Sequence, residues 1–343
     1  MGKRSYTDTP TRPFEVLPDS SVASILERMR GISFQGRSLA RAYDIWCRAL
    51  RDECTILLGI AGAMVPAGMR KIFAYLIRNR LVDCVVTTGA NVFHDCHETL
   101  GFHHFEGTPE VRDAELCALG IDRIYDTFAK DDEFEKTDAY IAEFASELER
   151  RPYTTREFLH LLGKKLSERP EQGMLTSASE AGVPIYCPAI ADSSIGIALV
   201  VHLIAKRHPF TFDVVTELKE LAEIALKSAG TAVIFIGGGT PKNYIQQLQI
   251  TARLLEPDRK LEGHRYAIQF TTDAPQWGGL SGCTFTEGTS WGKISAKAHA
   301  VNCHSDATIA LPVVVSALAE RADELRRKRV PRFDLGAAFH IRP

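Results

Sequence analysis

Short apolar runs, each followed by a turn with small or polar residues, recur along most of the chain. The runs are apolar at consecutive positions rather than at alternate ones, which is typical of strands buried on both faces. The predicted strands are Cys54–Leu58, Val82–Thr87, Val183–Cys187, Thr231–Ile236, Tyr266–Phe270 and Ala298–Cys303. Because helical patterns follow these runs, we predict an α/β fold, a Rossmann-like, doubly wound, mostly parallel sheet with helices on both faces.

Further helices are predicted outside this alternation. Asp19–Arg30 has helical periodicity, as does a segment ending at Arg51, and the charged middle segment 108–170 is predicted to be helical. Residues 1–18 are polar and proline-rich, so we expect a flexible N-terminal arm or one draped over a partner subunit. No linker interrupts residues 19–343, which are predicted to form a single domain.

Composition narrows the class of protein. The formal net charge of −2 over 343 residues gives no basic field for nucleic acid or an anionic membrane. The eight cysteines are scattered without a CxxC pair, which indicates reduced thiols rather than a disulfide framework. No signal-peptide core and no 18-residue apolar stretch is present, so a cytoplasmic protein is expected.

The ends of the predicted strands carry glycine, threonine and aspartate. Gly237–Gly238–Gly239 ends one strand, and Pro241 at the first helical position fits a helix that opens immediately after it. Such a turn can hold a phosphate against backbone N–H groups, or it can simply be tight. At the other strand ends the candidate residues are Thr88, Gly89, Ala90, Asp192, Thr272, Asp273, Asp306 and Ala307. Each aspartate could cap a helix, but together the series indicates a dinucleotide cradle.

The segment Glu287–Lys293 (sequence EGTSWGK) is the candidate for covalent chemistry. Desolvation against an aromatic ring favours the neutral amine, and only that form attacks an imine or a carbonyl. The alternative is a surface lysine that follows a loop tryptophan.

A histidine-rich segment, His94, Asp95, Cys96 and His97 with His103 and His104 beyond it, raises the question of a metal. No HExxH pattern occurs, and such histidines are often only hydrogen-bonded, so no metal is predicted.

The lysine segment resembles the active-site lysine motif of deoxyhypusine synthase and its homospermidine synthase relatives. Further stretches fall in that family's order and spacing: Phe34–Gly36, Val86–Thr88, Pro184–Ala189, Ile236–Gly239 and Asp306–Ala307. The resemblance implies an NAD-dependent enzyme that takes a hydride from a polyamine such as spermidine. The aminobutyl-type group then passes through an imine on the lysine to an acceptor amine. It also implies a homotetramer with active sites between subunits.

By position, the resemblance makes Lys293 the imine-forming residue and places Glu287, Trp291 and Gly238 at the substrate. The strand-end residues named above would line NAD. This chain departs from the family's acidic amine pocket: it has Phe93–His94 in place of an acidic pair, Asn243 in place of a histidine, and Ile197 and Leu280 in place of aspartates. His94 or Asp95 would then serve as the base, and the donor amine is expected to differ.

Three alternatives stay open from the sequence. The first is a true deoxyhypusine synthase that modifies a lysine of a translation factor. The second is an NAD-binding protein that has lost catalysis. The third is a metal-dependent hydrolase that uses His94, His97 and His103.

Overall fold

A computed structural model describes residues 7–342. The helices are α1 (Val22–Met29), α2 (Phe34–Arg51), α3 (Arg70–Arg78), α4 (Gly89–Thr99), α5 (Asp113–Ala118), α6 (Asp131–Glu147), α7 (Thr155–Leu166), α8 (Met174–Ala181), α9 (Ser194–His202), α10 (Val214–Lys227), α11 (Gly239–Leu255), α12 (Phe285–Ser290) and α13 (Ala307–Glu320). The strands are β1 (Thr55–Ile60), β2 (Cys84–Thr87), β3 (Phe105–Glu106), β4 (Ile121–Ile124), β5 (Thr127–Lys130), β6 (Ile185–Tyr186), β7 (Thr231–Ile236), β8 (His264–Thr271), β9 (Ile294–His304), β10 (Arg332–Asp334) and β11 (His340–Arg342).

Six strands form one parallel sheet in the spatial order β6-β2-β1-β7-β8-β9. Counted by their sequence within this sheet, the order is 3-2-1-4-5-6, the arrangement of dinucleotide-binding folds. The predicted fold class is therefore confirmed. The order reverses between β1 and β7, which pair in register from Thr55–Thr231 to Ile60–Ile236. Ligands of such sheets bind at this reversal, beyond the carboxyl ends of the strands.

The two central strands are buried along their whole length, which explains why every residue after the initial threonines, Thr55 and Thr231, is apolar or glycine. Adjacent side chains point to opposite faces, and the two faces contribute to separate apolar cores. One core contains Ile56 and Ile234, and the other contains Leu57 and Val233. Because helices cover both faces, the candidate site lies beyond the carboxyl ends of the strands.

The middle segment differs from its prediction as wholly helical. Strands β4 and β5 lie within it and form a small antiparallel sheet with β3, which directly precedes it. The β4–β5 connection contains Tyr125 in the left-handed region, at φ 56°. These strands are short, contain charged residues and are mostly half-buried, so they lack the continuous apolar pattern that marks the strands of the main sheet.

Residues 7–18 form no helix or strand, and they lie against the start of the helical layer. The backbone N–H of Arg12 donates to the Gly31 carbonyl at 2.9 Å, and the Arg28 guanidinium lies 5.4 Å from the Phe14 ring centroid. Residues 1–6 of the predicted flexible arm lie outside the described residues. Within residues 7–342, no helix has the length and apolar character needed to cross a bilayer.

Candidate active site

A cavity of about 320 Å³ lies at the reversal of strand order. Its lining comes from segments that follow four of the strands: Ala61, Gly62 and Met64 after β1, Gly237 and Gly238 after β7, Thr272, Asp273 and Ser281 after β8, and Ser305, Asp306 and Ala307 after β9. We call it the strand-end cavity. Five of the sequence-predicted residues are thereby brought together: Gly238, Thr272, Asp273, Asp306 and Ala307.

The glycine turn after β7 is held against a loop that follows β8. Gly237 has φ +67°, a conformation that favours glycine. A Cβ on Gly238 would lie only 2.4 Å from the Cα of Ser281, so no larger residue fits without moving that loop. Gln269 fixes the contact, because its Nε2 donates to the carbonyls of Gly237 and Ser281, each at 2.7 Å.

Two aspartates line this cavity, and in each of them only one carboxylate oxygen accepts hydrogen bonds from the described part of the chain. Asp306 Oδ1 accepts from both the N–H and the hydroxyl of Thr308 at 2.7 Å, so it caps α13. Asp273 Oδ1 accepts from the Ala274 N–H at 2.9 Å. The second oxygen of each makes no hydrogen bond among the described residues and remains able to accept from a sugar hydroxyl. The start of the 17-residue α11, the glycine turn and these carboxylates fit a dinucleotide.

The predicted residues Thr88, Gly89, Ala90 and Asp192 do not line the strand-end cavity. Thr88, Gly89 and Ala90 follow β2 and Asp192 follows β6, two strands that contribute nothing to the lining of this cavity. Thr88 Oγ1 donates to the Gly62 carbonyl at 3.1 Å, so it supports the loop that does line the cavity. Gly89 packs against Ser193, since a Cβ there would lie 2.3 Å from Ser193 Oγ.

The loop that follows β1 is a site element that was not predicted from the sequence. Asn91 holds this loop: its side chain accepts from the Val65 N–H at 3.1 Å and donates to the Gly62 carbonyl at 3.0 Å. The loop offers the cavity only small or apolar side chains and its backbone. Those features carry no motif, and the glycines at 59 and 62 were the only available signal.

A second cavity, of about 340 Å³, contains the predicted nucleophile. We call it the lysine cavity. Its lining residues come from α11, from the loop before α12, and from α12 and the turn that follows it. They are Lys242, Asn243, Gln246, Gln247 and Ile250, then Gly278, Gly279, Leu280 and Cys283, and finally Glu287, Gly288, Trp291 and Lys293. The predicted residues Glu287, Trp291 and Lys293 are thus brought together. The loop from Gly278 to Cys283 separates the two cavities, because Leu280 lines one and Ser281 the other.

Lys293 is half-buried immediately before β9. Its Nζ lies 3.4 Å from Asn243 Oδ1 and 5.3 Å from the centroid of the Trp291 ring. The ring itself is 62% exposed, so within one chain it shields the amine only in part. The lysine is surrounded by an amide, an indole and the exposed carboxylate of Glu287.

Arg253 at the end of α11 fixes the turn that carries the lysine. Its guanidinium donates to the Trp291 carbonyl at 2.9 Å, and a Cβ on Gly292 would lie 2.3 Å from its Nη1. Gly292 has φ +68°, which only glycine adopts without strain. The backbone N–H of Lys293 donates to the Gly288 carbonyl at 3.0 Å. Arg253 has no sequence signature, because its role depends on packing across 38 residues.

The desolvated lysine of this site is Lys242, which sequence analysis did not select. It is 2% exposed, and burial lowers the pKa of its amine to about 8. Its Nζ donates to Gln269 Oε1 at 2.8 Å and to the Cys283 carbonyl at 2.5 Å. Because Gln269 also binds the Gly237 carbonyl, Lys242 connects the two cavities through one hydrogen-bonded chain.

Asp95 has a different role from the predicted one at the substrate. It is fully buried, and its carboxylate accepts from the N–H groups of Met174 and Leu175 at 2.7 Å and from Arg70 at 2.8 Å. The carboxylate therefore caps α8 and pairs with a buried guanidinium. Both oxygens are occupied, and Asp95 lines neither cavity.

His94 belongs to a buried aromatic cluster. Its Nδ1 lies 2.9 Å from Nε2 of His104, whose Nδ1 lies 2.8 Å from Glu98. Burial and the neighbouring histidines lower the pKa of His94 to about 3. His97 bonds Thr137, and burial first and His104 second lower its pKa to about 4. His94 lines neither cavity of the chain.

The metal-hydrolase alternative required His94, His97 and His103 to converge. His103 is exposed instead. Within residues 7–342, no group of three or more histidine, cysteine, aspartate or glutamate side chains is placed to hold a metal ion. The third alternative therefore has no geometric basis in the described chain.

The departures from the acidic family pattern also have places in the structure. Asn243 and Leu280 line the lysine cavity. Phe93 is buried in the core, while Ile197 is 58% exposed on α9.

Comparisons with known proteins agree with the fold. A family model described as deoxyhypusine synthase matches residues 24–318. The chain is 46% identical to "Probable deoxyhypusine synthase 2" of Methanosarcina mazei, over 95% of this chain and 94% of that one. It is 51% identical to the protein of the same name from Archaeoglobus fulgidus, over 89% and 99%. It is 39% identical to the "Deoxyhypusine synthase-like protein" of Coxiella burnetii, over 85% and 84%.

Among solved structures, a "putative deoxyhypusine synthase" from Entamoeba histolytica is similar in fold, with a TM-score of 0.59 at 18% identity over 87% of this chain and 93% of that one. AgrE, solved as a ternary complex with ornithine and NAD⁺, has a TM-score of 0.53 at 12% identity over 85% of this chain and 34% of its own. The family match covers most of the chain, and the lysine motif lies in a formed cavity beside the strand-end cavity. The chain belongs to the deoxyhypusine synthase family of transferases.

Proposed function

We propose that this protein is an NAD-dependent transferase that moves an alkylamine group from a polyamine-like donor to an amine acceptor through an imine on Lys293. One observation carries the proposal: the Lys293 amine lies in a cavity separated by a single loop from the strand-end cavity. The acceptor is a small amine, as in polyamine synthesis of the homospermidine type. Both cavities must work together, since the transferred carbon changes oxidation state twice.

The strand-end cavity is the proposed NAD site, with Asp273 and Asp306 on ribose hydroxyls and the glycine turn near the pyrophosphate or the nicotinamide. Thr272 and Ala307 would line it, and Thr88, Gly89, Ala90 and Asp192 would support its β2 side. Bound NAD would accept a hydride from the donor's amine carbon and return it to the product.

The lysine cavity performs the exchange of amines. Lys293 Nζ adds to the oxidised carbon, and the lysine nitrogen gives its proton to the donor's nitrogen. The donor's amine then leaves, and the C=N bond joins the carbon to the lysine. The acceptor amine repeats the exchange and releases Lys293. Glu287 would hold an ammonium group of the substrate, and Trp291 would stack on its alkyl chain. Gly238 borders the redox carbon.

A homotetramer with sites between subunits belongs to the proposal. The chain leaves Ile197, Val200 and Val201 of α9 more than half exposed, a clustering that is typical of an interaction surface. A partner subunit would also cover Trp291. All eight cysteines are free thiols, which suits the cytoplasmic location expected from the sequence. Neither nucleic acid nor a membrane is a proposed partner.

The second candidate is a true deoxyhypusine synthase that acts on a lysine of a translation factor, and the names of the archaeal relatives favour it. It predicts that a translation-factor precursor becomes labelled from spermidine. A catalytically lapsed NAD-binding protein is a third candidate. The formed cavity around Lys293 speaks against it.

The test incubates the protein with NAD⁺ and spermidine, putrescine or agmatine, and then adds borohydride. A mass increment on Lys293 together with NADH formation is expected from at least one amine. Lys293→Arg should abolish the increment and leave NAD binding unchanged, while Lys297→Arg, an exposed lysine of β9, should behave as wild type. If neither adduct nor NADH appears with any of these amines, nor with ornithine, lysine or cadaverine, the proposed function is wrong.

A further inference from the structure

The lysine cavity carries an unusual charge for a site that accepts polyamines. Its ionisable lining, apart from the Cys283 thiol, consists of two lysines, Lys242 and Lys293, and one carboxylate, Glu287. Asp273 of the strand-end cavity also acts on Lys242, and with it included the formal charges sum to zero. Spermidine is tricationic at neutral pH. A binding site without excess negative charge cannot compensate those charges once water is displaced.

The remaining polar groups of the cavity are neutral. Asn243, Gln246 and Gln247 contribute amides, and Leu280 contributes an apolar wall. Gln246 is 2% exposed, and its Nε2 has no hydrogen-bond partner among residues 7–342. A buried amide donor without a partner is costly unless a ligand satisfies it, and the group that satisfies it must accept a hydrogen bond.

Lys242 offers a second unsatisfied donor. An ammonium group has three N–H bonds, and two are used by Gln269 Oε1 and the Cys283 carbonyl. The third is left for the lysine cavity that the residue lines. Lys242 is held rigidly by these bonds and is remote from water, so a charge-assisted hydrogen bond to it is strong.

We propose that the donor amine of this enzyme also carries a carboxylate, which binds Lys242 and Gln246, while its distal ammonium group binds Glu287. The substrate class is thus a zwitterionic diamine of amino-acid type rather than a fully cationic polyamine. The carboxylate and one ammonium group of the ligand match Lys242 and Glu287, and the ligand's second amine is left for the reaction with Lys293. This inference rests on the proposed function, since it names the substrate of the same site.

Matched ligands test the charge requirement directly. Ornithine and putrescine share a four-carbon spacing between amines and differ by a carboxylate, and lysine and cadaverine form a second pair. Calorimetry at pH 7.5 with NAD⁺ present measures each dissociation constant. We expect the carboxylated member of at least one pair to bind at least about tenfold more tightly, the lower end of what a charge-assisted hydrogen bond contributes.

Substitutions at Leu280 and Lys242 test which charged groups of the cavity the ligand binds. Leu280 is half-exposed on its loop, so Leu280→Asp should add a carboxylate without disturbing the core. Compared with the neutral control Leu280→Asn, it should strengthen putrescine binding and weaken ornithine binding, each by about tenfold. Lys242→Gln should remove the preference for the carboxylated ligands, and Lys242→Arg should retain part of it.

The outcomes separate this inference from the function on which it rests. Tighter binding of putrescine and cadaverine than of their carboxylated partners overturns the inference, as does equal binding within both pairs. If at the same time spermidine or putrescine forms a borohydride-trapped adduct on Lys293, the proposed function stands. If Lys242→Gln is unfolded by circular dichroism, the Leu280 variants and the matched ligands still decide.

Discussion

The Lys293 amine lies 3.4 Å from the side-chain oxygen of Asn243, on the first turns of α11. Asn243 is a neutral amide, so the contact orients the amine without placing a negative charge beside it. Imine formation requires the unprotonated amine. An amide at this position is therefore compatible with a nucleophilic lysine, whereas a carboxylate would oppose it.

Asn243→Asp should shift the pH dependence of Lys293 labelling upward by about one unit, because an opposite charge at this distance favours the ammonium form. The maximal labelling rate at high pH should be retained. Borohydride trapping across a pH series measures the profile, with Asn243→Leu as the uncharged control. Superimposable profiles for Asn243→Asp and wild type would show that the amine reacts elsewhere.

Gly238→Ala should impair both cavities, because its Cβ would meet the backbone of Ser281 at 2.4 Å and displace the separating loop. We expect NAD affinity to fall at least about tenfold and the free energy of unfolding to fall by about 1–3 kcal/mol. Gly279→Ala, on the separating loop itself, is the matched control, since its Cβ would have only an ordinary contact at 3.6 Å. Equal effects of the two variants would refute the specific role of Gly238.

Asp306 can be divided into a capping role and a ligand role. Asp306→Ser keeps an oxygen that can cap α13, whereas Asp306→Ala does not. The alanine variant should lose about 1 kcal/mol of stability, and the serine variant should lose much less. Both should bind NAD at least about tenfold more weakly by fluorescence titration. Undiminished NAD affinity in the serine variant would reduce Asp306 to a helix cap.

The buried histidines should make the protein sensitive to acid. The pKa values of His94 and His97, about 3 and about 4, lie below the usual value near 6.5. The unfolded chain therefore binds more protons between about pH 3 and 6.5, so stability is complete above that window and declines as pH falls through it. At pH 5 each histidine should cost about 2 kcal/mol.

Denaturant unfolding at pH 7.5 and pH 5 measures this loss. His97→Phe should reduce the difference between the two pH values, because it removes one of the titrating groups from the cluster. His103→Ala, which changes an exposed neighbour, should leave the difference as in wild type. A His97→Phe protein that loses as much stability on acidification as wild type would contradict the assignment.

Local patterns were sufficient to predict the sheet and several of its strand ends, because buried parallel strands are apolar at every position. The role of Lys242 was not predictable, since a lysine in a helical sequence gains it only when Gln269 and Cys283 close around it. Asp95 was interpreted as a base because the sequence does not reveal that α8, some 80 residues later, covers it. The β3–β5 sheet was missed because its strands are too short and too exposed to leave an apolar pattern.

The loop from Gly278 to Cys283 has an evolutionary consequence. Its backbone packs closely against the glycine turn at Ser281, so that part of the loop cannot change freely. The side chain of Leu280 is half-exposed and takes no part in this contact. A lineage can therefore exchange one amine for another by single substitutions on this loop while inheriting its redox chemistry intact. Such an arrangement lets old catalytic machinery be recruited for new metabolites with few mutations.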